Sequence, residues 1–197
     1  MRPALVALAL CAMAGCSAIG ESTALTDAQQ VIADMKIGVS SPNGTDQKGT
    51  DLTIIGAVDH ADRRYRAGEP VTLSVEVSKA ADVAVLRVMP NGATTLIFPN
   101  RSQASAAVSA NSPLRIPAPG ASFQIAAADK PGIVLFEFIA ASRGDAWLFS
   151  RKPEGSADFA ELGTTTRALA KDIALSLRGG RGSDTAAVHL TVSVHGD

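Results

Sequence analysis

Cysteine is almost missing: only Cys11 and Cys16 occur among 197 residues. A disulfide framework or a site of paired thiolates is thereby excluded beyond that point, and stability has to come from packing. Aromatic residues make up 4% of the chain, too few for a platform on which sugars or bases stack. Histidine occurs at only three positions, His60, His189 and His195. The last two share one face of an alternating stretch, where six residues at about 3.4 Å each hold them roughly 20 Å apart. They do not ligate one metal together. Excess charge of one sign is lacking too: the formal net charge is −1, without the clustered basic surface that nucleic acid requires. No His-Glu-x-x-His, Cys-x-x-Cys, Gly-x-Ser-x-Gly or phosphate-loop pattern is present. No catalytic residue, cofactor or metal ligand is expected, and the chain reads as non-enzymatic.

What is present begins with MRPALVALALCAMAGCS. Arg2 and the terminal amine precede an apolar run over 4–14. That run falls short of the about 20 residues of a spanning helix but suits the hydrophobic part of a secretory signal. Ala14 and Gly15 lead directly into Cys16, which resembles the lipobox of bacterial lipoproteins; a plain signal with an incidental cysteine is the alternative. The resemblance implies that 1–15 is a signal peptide and that Cys16 carries palmitate-type acyl chains. At roughly 0.8 kcal/mol per buried methylene, two or three chains anchor a protein without spanning the membrane. Ser17 stands where an aspartate would favour inner-membrane retention, so the resemblance points to the outer membrane, facing the periplasm. Without Arg2 the 18 basic side chains become 17 against 19 acidic, again no signature of nucleic acid.

Residues 16–50 read as the lipidated cysteine and a tether with one ordered piece. Thr26 and Gln29 have capping-box spacing, and Leu25, Ala28, Val31, Ile32 and Met35 recur at helical intervals. From 51 to 197 the pattern is that of one β domain. Residues 70–78 alternate, with Val71, Leu73, Val75 and Val77 on one face. Strands are expected at 52–58, 83–89, 94–98, 113–117, 121–127, 132–142 and 187–195. Pro90-Asn91-Gly92 predicts a type I turn with Gly92 left-handed in a bulge. Leu169, Ile173 and Leu177 predict a helix over 165–178, packed on the sheet. In 187–195 the inward residues are Val188, Leu190, Val192 and Val194. The fold class is mainly β: an antiparallel immunoglobulin-like β-sandwich with a short N-terminal helix and one late helix packed on it.

Tyr65-Arg66-Ala67-Gly68-Glu69-Pro70-Val71, Pro90-Asn91-Gly92, Leu96-Ile97-Phe98-Pro99-Asn100, Ile116-Pro117 and Lys130-Pro131-Gly132 run in an order that resembles the bacterial family called domain of unknown function 4384, over 65–142. The resemblance implies an immunoglobulin-like sandwich of envelope lipoproteins, or one set beside separate protease-like or kinase modules. It implies no catalytic residue. The same residues also read as structure, because proline starts or ends strands whose ladder it cannot join.

Arg63, Arg64 and Arg66 form a basic cluster near Asp62 that suits anionic lipid, cell-wall phosphate or simply an exposed turn. Trp147, beside Leu148 and Phe149, suits the core or a partner anchor. Arg143-Gly144-Asp145 reads as a solvated loop. Stretches 83–89 and 132–142 are apolar on both faces except for Arg87 and Glu137, so either the late helix or a partner has to cover them. A direct Arg87–Glu137 pair is one way to satisfy both charges. The expected function is a lipid-anchored, periplasm-facing accessory or interaction module with an envelope protein partner. A small-ligand or glycan-binding lipoprotein is the alternative, favoured by a pocket near Trp147. A hydrolase would require His60 clustered with carboxylates.

Overall fold

The computed structural model describes residues 24–35, 51–142, 145–178 and 184–196. Cys16, the signal segment and Arg143-Gly144 of the Arg-Gly-Asp triplet lie outside the described residues. In chain order come α1 (Asp27–Ala33), β1 (Ile54–Val58), β2 (Arg64–Arg66), β3 (Leu73–Val77), β4 (Ala81–Val88), β5 (Thr94–Phe98), β6 (Ala107–Val108) and β7 (Leu114–Ile116). Then follow β8 (Gly132–Ala141), a 3-10 turn at Trp147–Phe149, β9 (Ala160–Gly163), α2 (Thr166–Arg178) and β10 (Thr185–His195).

Two sheets form. The small one has the order β1-β3-β7, and the large one β2-β10-β8-β4-β5-β9, with β6 paired to β4. Pairing is antiparallel except that β2 runs parallel to β10. The fold is mainly β and sandwich-like, with a helical layer added to the outer face of the large sheet.

The alternation of β4 and β8 sorts their side chains between two cores. Val83, Val85, Phe136 and Phe138 face the small sheet with Leu73, Val75 and Ile116. Ala84, Leu86, Val88, Leu135 and Ile139 face the helices with Ile32, Ala170, Ile173, Leu177 and Leu148. The chain thus covers both apolar faces of its central strands itself. The late helix takes part as expected, but its buried stripe is Thr166, Ala170, Ile173 and Leu177, with Leu169 only half-buried.

The N-terminal helix is docked rather than free. Thr26 Oγ1 accepts from the Gln29 N–H at 3.4 Å, and Gln29 Oε1 accepts from the Thr26 N–H at 3.1 Å, completing the capping box. Gln29 Nε2 then donates to the carbonyls of Val88 (3.1 Å) and Ile133 (2.7 Å). One fully buried amide both caps α1 and fixes it to the ends of β4 and β8.

The Pro90-Asn91-Gly92 turn is as expected: the Gly92 N–H donates to the Met89 carbonyl at 2.9 Å, and Gly92 has φ +83°. The alternating 187–195 stretch buries Leu190, Val192 and Val194, with Val188 half-buried. Residues 121–127 do not form the expected strand. They alternate in burial, yet their pairing is an isolated bridge of Ala126 with Pro70, closed by the Val71 N–H on the Ile125 carbonyl and the Ala127 N–H on the Glu69 carbonyl.

Arg87 and Glu137 lie on adjacent strands but opposite faces. Arg87 is registered with Phe136 and Glu137 with Leu86, so the direct pair does not form. Arg87 Nη1 donates to the Ala126 carbonyl at 3.0 Å. Glu137 is 2% exposed, with Oε2 unpartnered among the described residues. Its row across the sheet runs Leu96, Leu86, Glu137, His189. Burial pushes its carboxyl well above the ordinary value of 4.5.

Two outcomes follow from this packing. A Cβ on Gly56 of β1 would sit 2.6 Å from the buried Phe138 ring, so Gly56→Ala should cost about 1–3 kcal/mol by overpacking. An unchanged denaturation midpoint would contradict that close approach. Glu137 holds its proton more tightly folded than unfolded. Its contribution is therefore intact below pH 4.5 and is lost as pH rises through the folded value. Glu137→Gln should flatten that slope, and Glu137→Leu should stabilise the fold near pH 8 by about 1–3 kcal/mol. Parallel stability–pH curves for the native and Glu137→Gln chains would refute the assignment.

Candidate functional site

Two constellations stand out among the described residues. The first surrounds the turn between β1 and β2. Tyr65, buried at the centre of β2, donates its hydroxyl to Asp59 Oδ1 at 2.7 Å. The same hydroxyl accepts the His60 N–H at 3.2 Å, and Asp59 Oδ1 also accepts the Thr72 N–H at 3.0 Å. The His60 ring stacks on Tyr65 with centroids 4.4 Å apart. Its Nδ1 lies 2.8 Å from the Arg64 carbonyl and its Nε2 lies 3.6 Å from Glu69 Oε1. Glu69 Oε2 accepts the Arg66 N–H at 2.6 Å.

His60 is therefore clustered with carboxylates, the arrangement a hydrolase would require. The electrostatics describe a pinned turn. Burial works against ionisation of Asp59, but the Tyr65 hydroxyl and backbone N–H donors outweigh it and hold its carboxyl below 3.8. Burial and the bond to Asp59 push the Tyr65 hydroxyl above its ordinary value of 10. The Arg64 carbonyl first, then Asp59 and Glu69, raise His60 above 6.5.

The basic cluster sits on this edge. Arg63 takes φ +57°, and Arg63, Arg64 and Arg66 are all exposed on either side of buried Tyr65. Trp147 is elsewhere, half-buried against the helix-side core with its 3-10 turn over β4. β2 and β4 are separated by β10 and β8, about 14 Å across the sheet at 4.8 Å per strand. The structure does not join the arginines and the tryptophan into one surface. His189 and His195 remain on one unbroken strand, and among the described residues no group of three His, Cys, Asp or Glu is placed to hold a metal ion.

The second constellation is a cleft of about 510 Å³ between residues 99–104 and 149–153, lined among others by Pro99, Arg101, Phe149, Arg151, Lys152 and Pro153. One wall is the turn after β5. Asn100, 2% exposed, donates to the Ile97 carbonyl and accepts the N–H groups of Ser102 and Gln103. The other wall continues from the 3-10 turn, placing the cleft two residues beyond Trp147. Arg101 ties the walls: its Nε donates to the Ala157 carbonyl at 2.8 Å and its Nη2 to that of Gly155. Sequence reading missed this site because its cations lie some fifty residues apart. The adjacent Arg151-Lys152 pair was its one visible trace.

For the His60 network the sign of the pH effect is fixed. A histidine raised above 6.5 contributes its stabilisation below that value and loses it as pH rises through the folded pKa. A titration followed by NMR should place His60 above 6.5, with Glu69→Gln shifting it down. An unshifted His60 titration in that variant would remove Glu69 from the network.

Residues 64–143 match the family described as Domain of unknown function (DUF4384). No curated protein and no solved structure matches the chain. The matched stretch runs from β2 through the end of β8 and supplies the first wall of the cleft. The second wall, both helices, β9 and β10 fall outside it. The chain carries a domain resembling DUF4384.

Proposed function

We propose that the protein is a lipid-anchored, periplasm-facing interaction module of a bacterial envelope assembly, held close to its membrane and without catalytic activity of its own. The observation that carries this reading is the docking of α1. Gln29 fixes that helix to β4 and β8, so the chain between an acylated Cys16 and the docked helix would be residues 17–26 rather than 17–50. Ten residues reach at most about 35 Å. A link that short keeps the sandwich within roughly its own diameter of the bilayer, where it meets envelope partners and headgroups. No described helix is long and apolar enough to cross a membrane. The outer membrane is the membrane favoured by Ser17.

A second reading, a small-ligand-binding lipoprotein, is favoured by the cleft of about 510 Å³ near Trp147, a size that suits small ligands. The two readings are compatible, because a ligand site on an anchored module is itself a means of recruitment.

The anchor is tested by Cys16→Ser. The native chain should fractionate with membranes and incorporate labelled fatty acid, and the variant should appear in the soluble periplasm without label. Membrane retention of the unlabelled variant would reject the lipid anchor.

A further inference from the structure

The cleft between residues 99–104 and 149–153 concentrates positive charge that the chain leaves unbalanced. Arg101 is held in place by two neutral backbone carbonyls, which fix the guanidinium without cancelling its charge. Five N–H donors are available on a guanidinium, so three remain for a ligand. Arg151 meets one carboxylate, Glu154 Oε1, at 3.4 Å with both side chains exposed, a contact that contributes little. The Lys152 ammonium has no hydrogen-bond or ion-pair partner among the described residues. The residues lining the cleft thus include three cations, Arg101, Arg151 and Lys152, and no acid, with Glu154 at its border.

We propose that this cleft binds the phosphate group of a small organic phosphate, either free or as the headgroup of a lipid; the proposal rests on the ligand-binding reading of the cleft. A carboxylate brings one negative charge and two oxygens. A phosphate monoester brings about 1.5–2 charges and three strong acceptors near neutral pH, which matches two guanidinium forks and an ammonium. Phe149, Pro99 and Pro153 offer an apolar flank to the carbon part of the ligand. The first wall is preorganised, because both polar atoms of the buried Asn100 amide are engaged inside its own turn. Binding therefore costs little ordering on that side.

The test uses the detergent-solubilised full chain, titrated calorimetrically with glycerol 1-phosphate, inorganic phosphate and succinate. In parallel, the Cys16→Ser chain is floated with phosphatidylcholine vesicles with and without phosphatidic acid, whose headgroup is a phosphate monoester, so that no acyl anchor contributes. The variant is Arg151→Gln with Lys152→Gln, which leaves the bonds of Arg101 intact; Arg63→Gln with Arg66→Gln is the control. Saturable binding of glycerol 1-phosphate, weakened at least about tenfold by the cleft variant and unchanged in the control, supports a soluble organic phosphate. Flotation that requires phosphatidic acid and the same two cleft residues supports a headgroup. Succinate binding as tightly as glycerol 1-phosphate, with the same dependence on Arg151 and Lys152, overturns the phosphate assignment while the cleft remains a ligand site. Absence of all binding, or binding indifferent to the cleft variant, overturns both.

Discussion

β4 and β8 lie side by side at the centre of the large sheet with apolar residues on both faces, so neither face can be left to water. This constraint organises the rest of the molecule. One face is buried by the small sheet, whose β1 approaches so closely that Gly56 touches the Phe138 ring. The other is buried by α1, α2 and the 3-10 turn at Trp147–Phe149. Burial at roughly 25 cal/mol per Å² of apolar surface makes this double covering the main source of stability in a domain with no disulfide. The matched family region contains both central strands but neither helix. The cover of the second face is therefore supplied by segments that flank the match.

That covering has one internal conflict. Glu137 is placed among Leu86, Leu135 and Ile139 with an oxygen unpartnered among the described residues, while Arg87 on the adjacent strand faces the other core. Adjacent residues in a strand point to opposite faces, and the register puts Glu137 opposite Leu86, so proximity of strands does not bring the charges together. Burial raises the carboxyl's pKa well above its ordinary value, on the face of the large sheet that the helical layer covers.

Much of the fold was legible because it follows from periodicity. The alternation of 70–78 and 187–195, the apolar runs at β4 and β8, the turn at Gly92 and the capping box at Thr26 are local signals, and each appears where its pattern places it. The two short edge strands of the large sheet were not legible. β2 has one apolar residue in three, and β9 reads Ala-Glu-Leu-Gly; both owe their conformation to the neighbour they pair with. The stripe of α2 shifted by one position, to Ala170 rather than Leu169, because the sheet beneath chooses the buried face. The cleft was hidden for a related reason. Arg101 and Arg151-Lys152 are distant in sequence, and the walls are brought together by the bonds from Arg101 to residues 155, 157 and 158 and by the pairing of β5 with β9. Likewise the side chain of Gln29 is a capping residue by spacing, and nothing in the sequence reveals its second role as the bolt of α1.

That second role decides whether the N-terminal segment is part of the folded body or a loose tether, and with it how near the domain sits to its membrane. Native-state amide hydrogen exchange reads this directly at Gln30 and Asp34, whose N–H groups bond to Thr26 and Gln30 within α1. A seven-residue helix has no stability of its own in water. If α1 is bolted to the sheet, these amides should be strongly protected, and Gln29→Ala should lower that protection selectively. Exchange at the rate of an unstructured chain would show that the helix is undocked and would contradict the account.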